Sequence, residues 1–134
     1  MKAAIEAVGL GQQVRTAAGD HLTLLEGINL QVQAGETVAI VGKSGSGKTT
    51  LLSLLAGLDR ASSGEVLLLG EPLSRLDEDG RASLRAQQVG FVFQNFQLLS
   101  GFTALENVLL PLELAGQPLA RAAAEASLHS VGLA

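Results

Sequence analysis

Gly42, Gly47, Lys48 and Thr49 stand within the run GKSGSGKT at the spacing of a loop that encloses a phosphate group. Glycines at 42, 45 and 47 open backbone conformations closed to other residues, so successive main-chain amides can converge on one anion. Ser44, Ser46 and Thr50 complete the ligand-facing positions, and Ser46 has room to donate. The Lys48 ammonium is placed to reach β- and γ-phosphates, where one charge pair at about 4 Å is worth about 4 kcal/mol at an effective dielectric near 20. The Thr49 hydroxyl is the expected magnesium ligand. A serine-glycine tract can also be a plain flexible turn with a solvated lysine, and Lys43 is read that way.

Such a loop works only between a strand that ends and a helix that begins. Thr37 to Val41 is apolar without alternation, the pattern of a strand buried on both faces of a parallel sheet. Leucines at 51, 52, 54, 55 and 58 form a helical stripe after Gly47, with Gly57 as its C-terminal breaker. The helix start adds unpaired amides and the positive end of its dipole to the same point.

Upstream, Ala3 to Val8, Leu22 to Leu25 and Ile28 to Val32 read as half-exposed antiparallel strands turned by Gly27 and by Ala34-Gly35. Downstream, the expected elements are a strand at Glu65 to Leu69, a charged surface helix at Leu76 to Gln88 and a short strand at Val89 to Phe93. Two helices follow, Thr103 to Leu114 and Leu119 to Val131, split by Gly116 and Pro118. Glu71, Asp77, Glu78 and Asp79 read as turn and helix-start acids.

The 134 residues are 47% hydrophobic and 16% charged, the balance of a globular chain. A net charge of −4 argues against nonspecific nucleic-acid binding, which needs a cationic face. There is no cysteine, so no disulfide framework or thiolate site. Glu6 interrupts any secretory core, and no run of about 18 apolar residues occurs, so no direct membrane span is expected.

Three segments carry a family likeness: INLQVQAGETVAIVGKSGSGKTTLL from Ile28, LLAGLDRASSGEVLLLG from Leu54 and VGFVFQNFQLLSGFTALENVLLP from Val89. From about Ile5 onward the chain resembles the N-terminal part of the nucleotide-binding domain of ATP-binding cassette (ABC) transporters. The resemblance implies an α/β P-loop NTPase fold of ABC type, with an antiparallel β subdomain and a phosphate-loop strand-helix core, incomplete at the C-terminus. It implies one truncated domain over 1–134: β-rich 1–35, loop core 36–100, and the start of a helical subdomain at 101–134. ATP and Mg2+ are the implied cofactors. Gln94 is implied as a contact to magnesium and the attacking water, and so as a catalytic residue with Lys48.

The implied partners are a transmembrane permease and a second nucleotide-binding subunit, at the cytoplasmic face of the cell membrane. FTALENV is similar to the subfamily that powers lipoprotein release or macrolide export. All four phenylalanines, 91, 93, 96 and 102, surround Gln94. Phe91 and Phe93 are expected in the core, and Phe96 and Phe102 in a partner groove.

The family's adenine-stacking aromatic has no counterpart here; Arg15 falls near its position, either stacking through its guanidinium or solvated. The LSGGQ signature, the supporting aspartate, the catalytic glutamate and the switch histidine are not in this sequence, so it should bind ATP better than it hydrolyses it. His129 reads as a surface residue. Two other readings remain. A soluble regulatory nucleotide-binding module would not use Phe96 and Phe102 to capture a partner. A small-molecule kinase would need a cationic lid, for which Arg75, Arg81 and Arg85 are candidates, although their spacing suits a solvated helix face.

Overall fold

Alternation in the N-terminal third continues through its glycines. In the computed structural model, which describes residues 3–43, 45–93 and 98–133, β1 runs from Ala3 to Arg15 and β2 from His21 to Gln33. They form one long antiparallel hairpin whose register slips between Ala7 and Leu10 and again between Leu10 and Gln12. Gly9 and Gly27, at φ +55° and +59°, sit at these irregularities. Gly27 therefore carries a bulge inside β2 and does not turn the chain as the sequence reading expects.

The sheet has four strands in the order β2-β1-β3-β4, with β3 at Ser63–Leu68 and β4 at Glu71–Pro72, and every pairing is antiparallel. Ala7, Leu10, Val66 and Leu68 of the sheet are buried with Leu73 and with Leu51, Leu54 and Leu55 of helix α1, Lys48–Leu55. Full burial of one such leucine contributes about 1.5–3 kcal/mol. Three leucines thus fasten the helix that follows the phosphate loop.

Helix α1 ends where the sequence places its breaker. Gly57, at φ +75°, donates to the Leu54 carbonyl at 3.1 Å, and the Leu58 amide donates to Ser53 at 2.9 Å. Helix α2, Glu78–Gln88, starts at Asp77, whose carboxylate accepts from the Gly80 amide at 2.7 Å. That is the helix-start role read for this acid.

Two expected strands do not form. Thr37 to Val41 has no strand pairing among the described residues, and Val38 and Val41 are exposed. A parallel-sheet strand needs a hydrogen-bonded neighbour along its edge, and none of the strands among the described residues takes that position. Val89 to Phe93 likewise pairs with nothing among the described residues, and Phe93 is exposed rather than in the core.

The chain divides into two compact units, Met1–Gly90 and Phe91–Ala134. In the second, α3 spans Ala104–Leu114 and α4 spans Ala120–Ser130. The Phe91 and Phe93 rings lie 4.6 Å apart. Asn107 ties the approach to α3, accepting from the Leu99 amide at 2.8 Å and donating to the Thr103 carbonyl at 2.9 Å.

A capping box starts α3: the Glu106 amide donates to Thr103 Oγ1 at 3.1 Å, and the Thr103 amide donates to Glu106 Oε1 at 2.8 Å. The Thr103 backbone bond, and after it the Thr103 hydroxyl, hold the Glu106 carboxyl below its ordinary range. A depressed carboxylate pKa stabilises the folded state above the unfolded pKa, and that contribution is lost as pH falls through the lower, folded value. Thr103→Ala should cost about 1 kcal/mol of stability. Acid titration followed by far-UV circular dichroism should show helix loss in the parent, and less pH dependence in Glu106→Ala.

Candidate phosphate-binding site

The loop grows out of close backbone approach. The Ser46 amide donates to the Lys43 carbonyl at 3.1 Å, closing a turn. Gly47 has φ +93° and ψ 11° and precedes α1 without any side-chain cap. A Cβ added there would lie 2.9 Å from Leu25 Cδ2 and 3.1 Å from the Leu24 carbonyl oxygen. A Cβ on Gly42 would lie 2.6 Å from Ser46 Oγ. Glycine at 47 is therefore required twice, by its dihedral angle and by the strand behind it.

Helix α1 hydrogen bonding begins with the Leu51 amide donating to Gly47 at 2.9 Å, which leaves the preceding first-turn amides to face outward. Lys48 folds back over the loop, its Nζ donating to the Gly42 carbonyl and to the Lys43 carbonyl at 3.0 Å. Gly42, Lys43, Gly45, Ser46 and Thr49 are exposed, and Thr50 is half-buried. The structure thus brings together Gly42, Gly45, Ser46, Gly47, Lys48, Thr49 and Thr50. Ser44, Gln94 and Phe96 lie outside the described residues.

Arg15 ends β1 opposite His21 and is exposed, with no hydrogen bond to the loop among the described residues. His129 is exposed on α4, as expected for a surface residue.

Two supports of the site were not legible as such. Leu24 and Leu25 back Gly47 from β2, a contact across more than twenty residues. Beyond the other end of α1, buried Gln12 donates to the Arg60 carbonyl at 3.0 Å and accepts from the Ser62 amide at 2.9 Å and the Ser62 hydroxyl at 2.8 Å. Gln12 lies beyond the strand read from the sequence, Ala3 to Val8, and β1 reaches it only in the structure.

The donor set suits a phosphate ligand with a cation carried on it. Main-chain amides of a glycine-rich turn at a helix start and one ammonium match polyphosphate oxygens. Among the described residues no group of three or more His, Asp or Glu could hold a metal. Thr49, exposed at the start of α1, carries a side-chain hydroxyl next to the loop.

The cationic lid required of a kinase is not available from α2. Arg81 is buried and bonded to Glu78 at 2.8 Å, while Arg85 donates to the Gly57 carbonyl at 2.5 Å. This face was expected to be solvated; its arginines instead close the packing behind α1.

The family profile described as ABC transporter matches residues 25–134. The chain belongs to the ABC transporter family. It is 56% identical over 118 residues to the uncharacterized ABC transporter ATP-binding protein YbbA of Escherichia coli (strain K12), covering 86% of this chain and 52% of that protein. It is 53% identical over 112 residues to the lipoprotein-releasing system ATP-binding protein LolD of Xanthomonas axonopodis pv. citri (strain 306), covering 82% and 46%.

Among solved structures, the dimeric post-hydrolysis state of the ATP-binding cassette MJ0796 bound to ADP and Pi superposes with a TM-score of 0.86 at 33% identity, over 93% of this chain and 56% of that one. A second dimeric structure of that bacterial cassette gives 0.78 at 37% identity, over 82% and 47%. The fold is the ABC type of α/β cassette, in part: the chain spans about half the length of the curated relatives it matches.

Proposed function

We propose that this chain is the nucleotide-gripping part of an ABC transporter's ATP-binding subunit and binds magnesium-ATP through residues 42–50. The observation that carries the reading is the glycine cradle pressed against β2 with Lys48 folded over it at the start of α1. Amides of Gly42, Ser44, Gly45, Ser46 and Gly47 hold the phosphates, helped by Thr50. Lys48 supplies charge, Thr49 and Gln94 hold magnesium, and Arg15 meets the base. Segments 1–35, 36–100 and 101–134 serve as β subdomain, loop core and start of the helical subdomain.

In the assembled transporter this subunit pairs with a second nucleotide-binding subunit and a transmembrane permease at the cytoplasmic face of the membrane. The likeness to LolD supports lipoprotein release as the transport class. No helix among the described residues is long and apolar enough to cross a membrane. Magnesium, when bound, neutralises phosphate charge; the residues here orient that charge and enclose it.

Titration of the chain with a fluorescent ATP analogue should give saturable binding that weakens when EDTA removes magnesium. An absence of saturation would sink the reading. Gln94→Ala should leave that affinity within about twofold while lowering ATP turnover of the assembled transporter by about 100-fold. Unchanged turnover would remove Gln94 from the mechanism.

A further inference from the structure

Gly47 joins two locally bonded stretches. Before it, the Ser46 amide closes a turn on the Lys43 carbonyl at 3.1 Å; after it, the Leu51 amide opens the helix on the Gly47 carbonyl at 2.9 Å. Its φ of +93° and ψ of 11° lie in the left-handed region, and α1 begins there without a side-chain cap. Glycine visits many other backbone conformations at little cost, so holding this one calls for a restraint from outside the loop.

That restraint comes from β2. Leu25 lies on the side of Gly47 from which a side chain would project: a Cβ built there would be 2.9 Å from Leu25 Cδ2 and 3.7 Å from Leu25 Cγ, with the Leu24 carbonyl oxygen at 3.1 Å. Leu25 is itself partly buried against the core that contains Leu51, Leu54 and Leu55 of α1. One side chain therefore spans the core wall and the residue whose dihedral angles orient the first turn of α1 and Lys48.

We propose that Leu25 is a positioning residue for phosphate binding: packed on Gly47, it holds the first-turn amides and Lys48 in the arrangement that polyphosphate requires before the ligand arrives. The proposal rests on the reading of residues 42–50 as the phosphate loop. An isobutyl side chain offers phosphate no polar atom, so its effect passes through Gly47. It shows as affinity, because a site already ordered loses less freedom on binding.

Calorimetric titration with magnesium-ATP and with magnesium-tripolyphosphate, below the thermal transition of each variant, tests it. Leu25→Ala should weaken both ligands by the same factor, at least about tenfold. Leu25→Val lacks Cδ2 but keeps an apolar side chain suited to a strand; it should weaken both at least about threefold and serves if Leu25→Ala does not fold. Leu30→Ala is the control for lost packing. Leu30 is partly buried against the same core but lies on β2 about 16 Å beyond Leu25, at about 3.3 Å per residue. Its variant should lower the thermal midpoint and leave both affinities within about twofold. Unchanged affinity in the Leu25 variants, or an equal loss in Leu30→Ala, would overturn the proposal and leave the phosphate site standing. A loss confined to ATP would also overturn it, since Leu25 would then touch the nucleoside. No saturation in the parent would remove the phosphate site itself, and this proposal with it.

Discussion

Lys48→Ala is expected to weaken magnesium-ATP binding by roughly 100-fold or more, about 3 kcal/mol. Its ammonium folds over the loop, on the carbonyls of Gly42 and Lys43. Removing it leaves the amides and the helix start, which hold phosphate without a full positive charge. Calorimetric titration of the variant against the parent measures the difference, and the cradle predicts that most of the loss appears in the triphosphate. Equal affinity in both proteins would mean that the polyphosphate is not held here. Since Lys48 bonds only to loop carbonyls, fold stability should change little, and a thermal midpoint close to the parent's would separate a binding defect from unfolding.

Gly64→Ala should be the most destabilising single methyl added to this chain, costing about 3 kcal/mol or more. Gly64 has φ +78°, and an added Cβ would lie 2.3 Å from the Gly9 carbonyl oxygen and 2.6 Å from Leu10 Cα. These are backbone atoms of β1 and cannot swing aside, so β1 and β3 must part beside Leu10, the most buried leucine of the sheet. Gly19→Ala is the control: φ is +91°, yet nothing lies within 4 Å, so strain alone should cost about 1 kcal/mol. Urea unfolding followed by circular dichroism compares the two. Similar losses would show that dihedral strain, not the strand contact, makes position 64 a glycine.

These two sites mark how far the sequence could be read. The phosphate loop, the leucine stripe of α1 and its stop at Gly57 are local patterns, and local hydrogen bonds produce them. The α3 start at Thr103 is local in the same way. Thr37 to Val41 is different: an apolar run says that a segment would accept burial, but strand formation depends on partners that no window of residues reveals. Gly27 failed for a related reason, because a glycine between two alternating runs fits a turn or a bulge equally well, and pairing with β1 decides between them. Arg81 and Arg85 lie one helical turn apart, and that spacing cannot distinguish an outward face from one that packs against the loop after α1. The site's outer supports, Gln12 with Ser62 and Leu25 with Gly47, join residues 50 and 22 positions apart in the chain, so composition near the loop contains no trace of them.

Gln12 and Leu25 are directly opposite each other in the β1–β2 register. A single rung of the hairpin therefore backs Gly47, just before α1, and holds the Arg60–Ser62 backbone five residues and more beyond its end. The chain segments on the two sides of the helix thus meet one crosspiece, so a tilt provoked at the phosphate side is expected to reach it. In native-state hydrogen exchange, the amides on either flank of α1 should consequently open as one event.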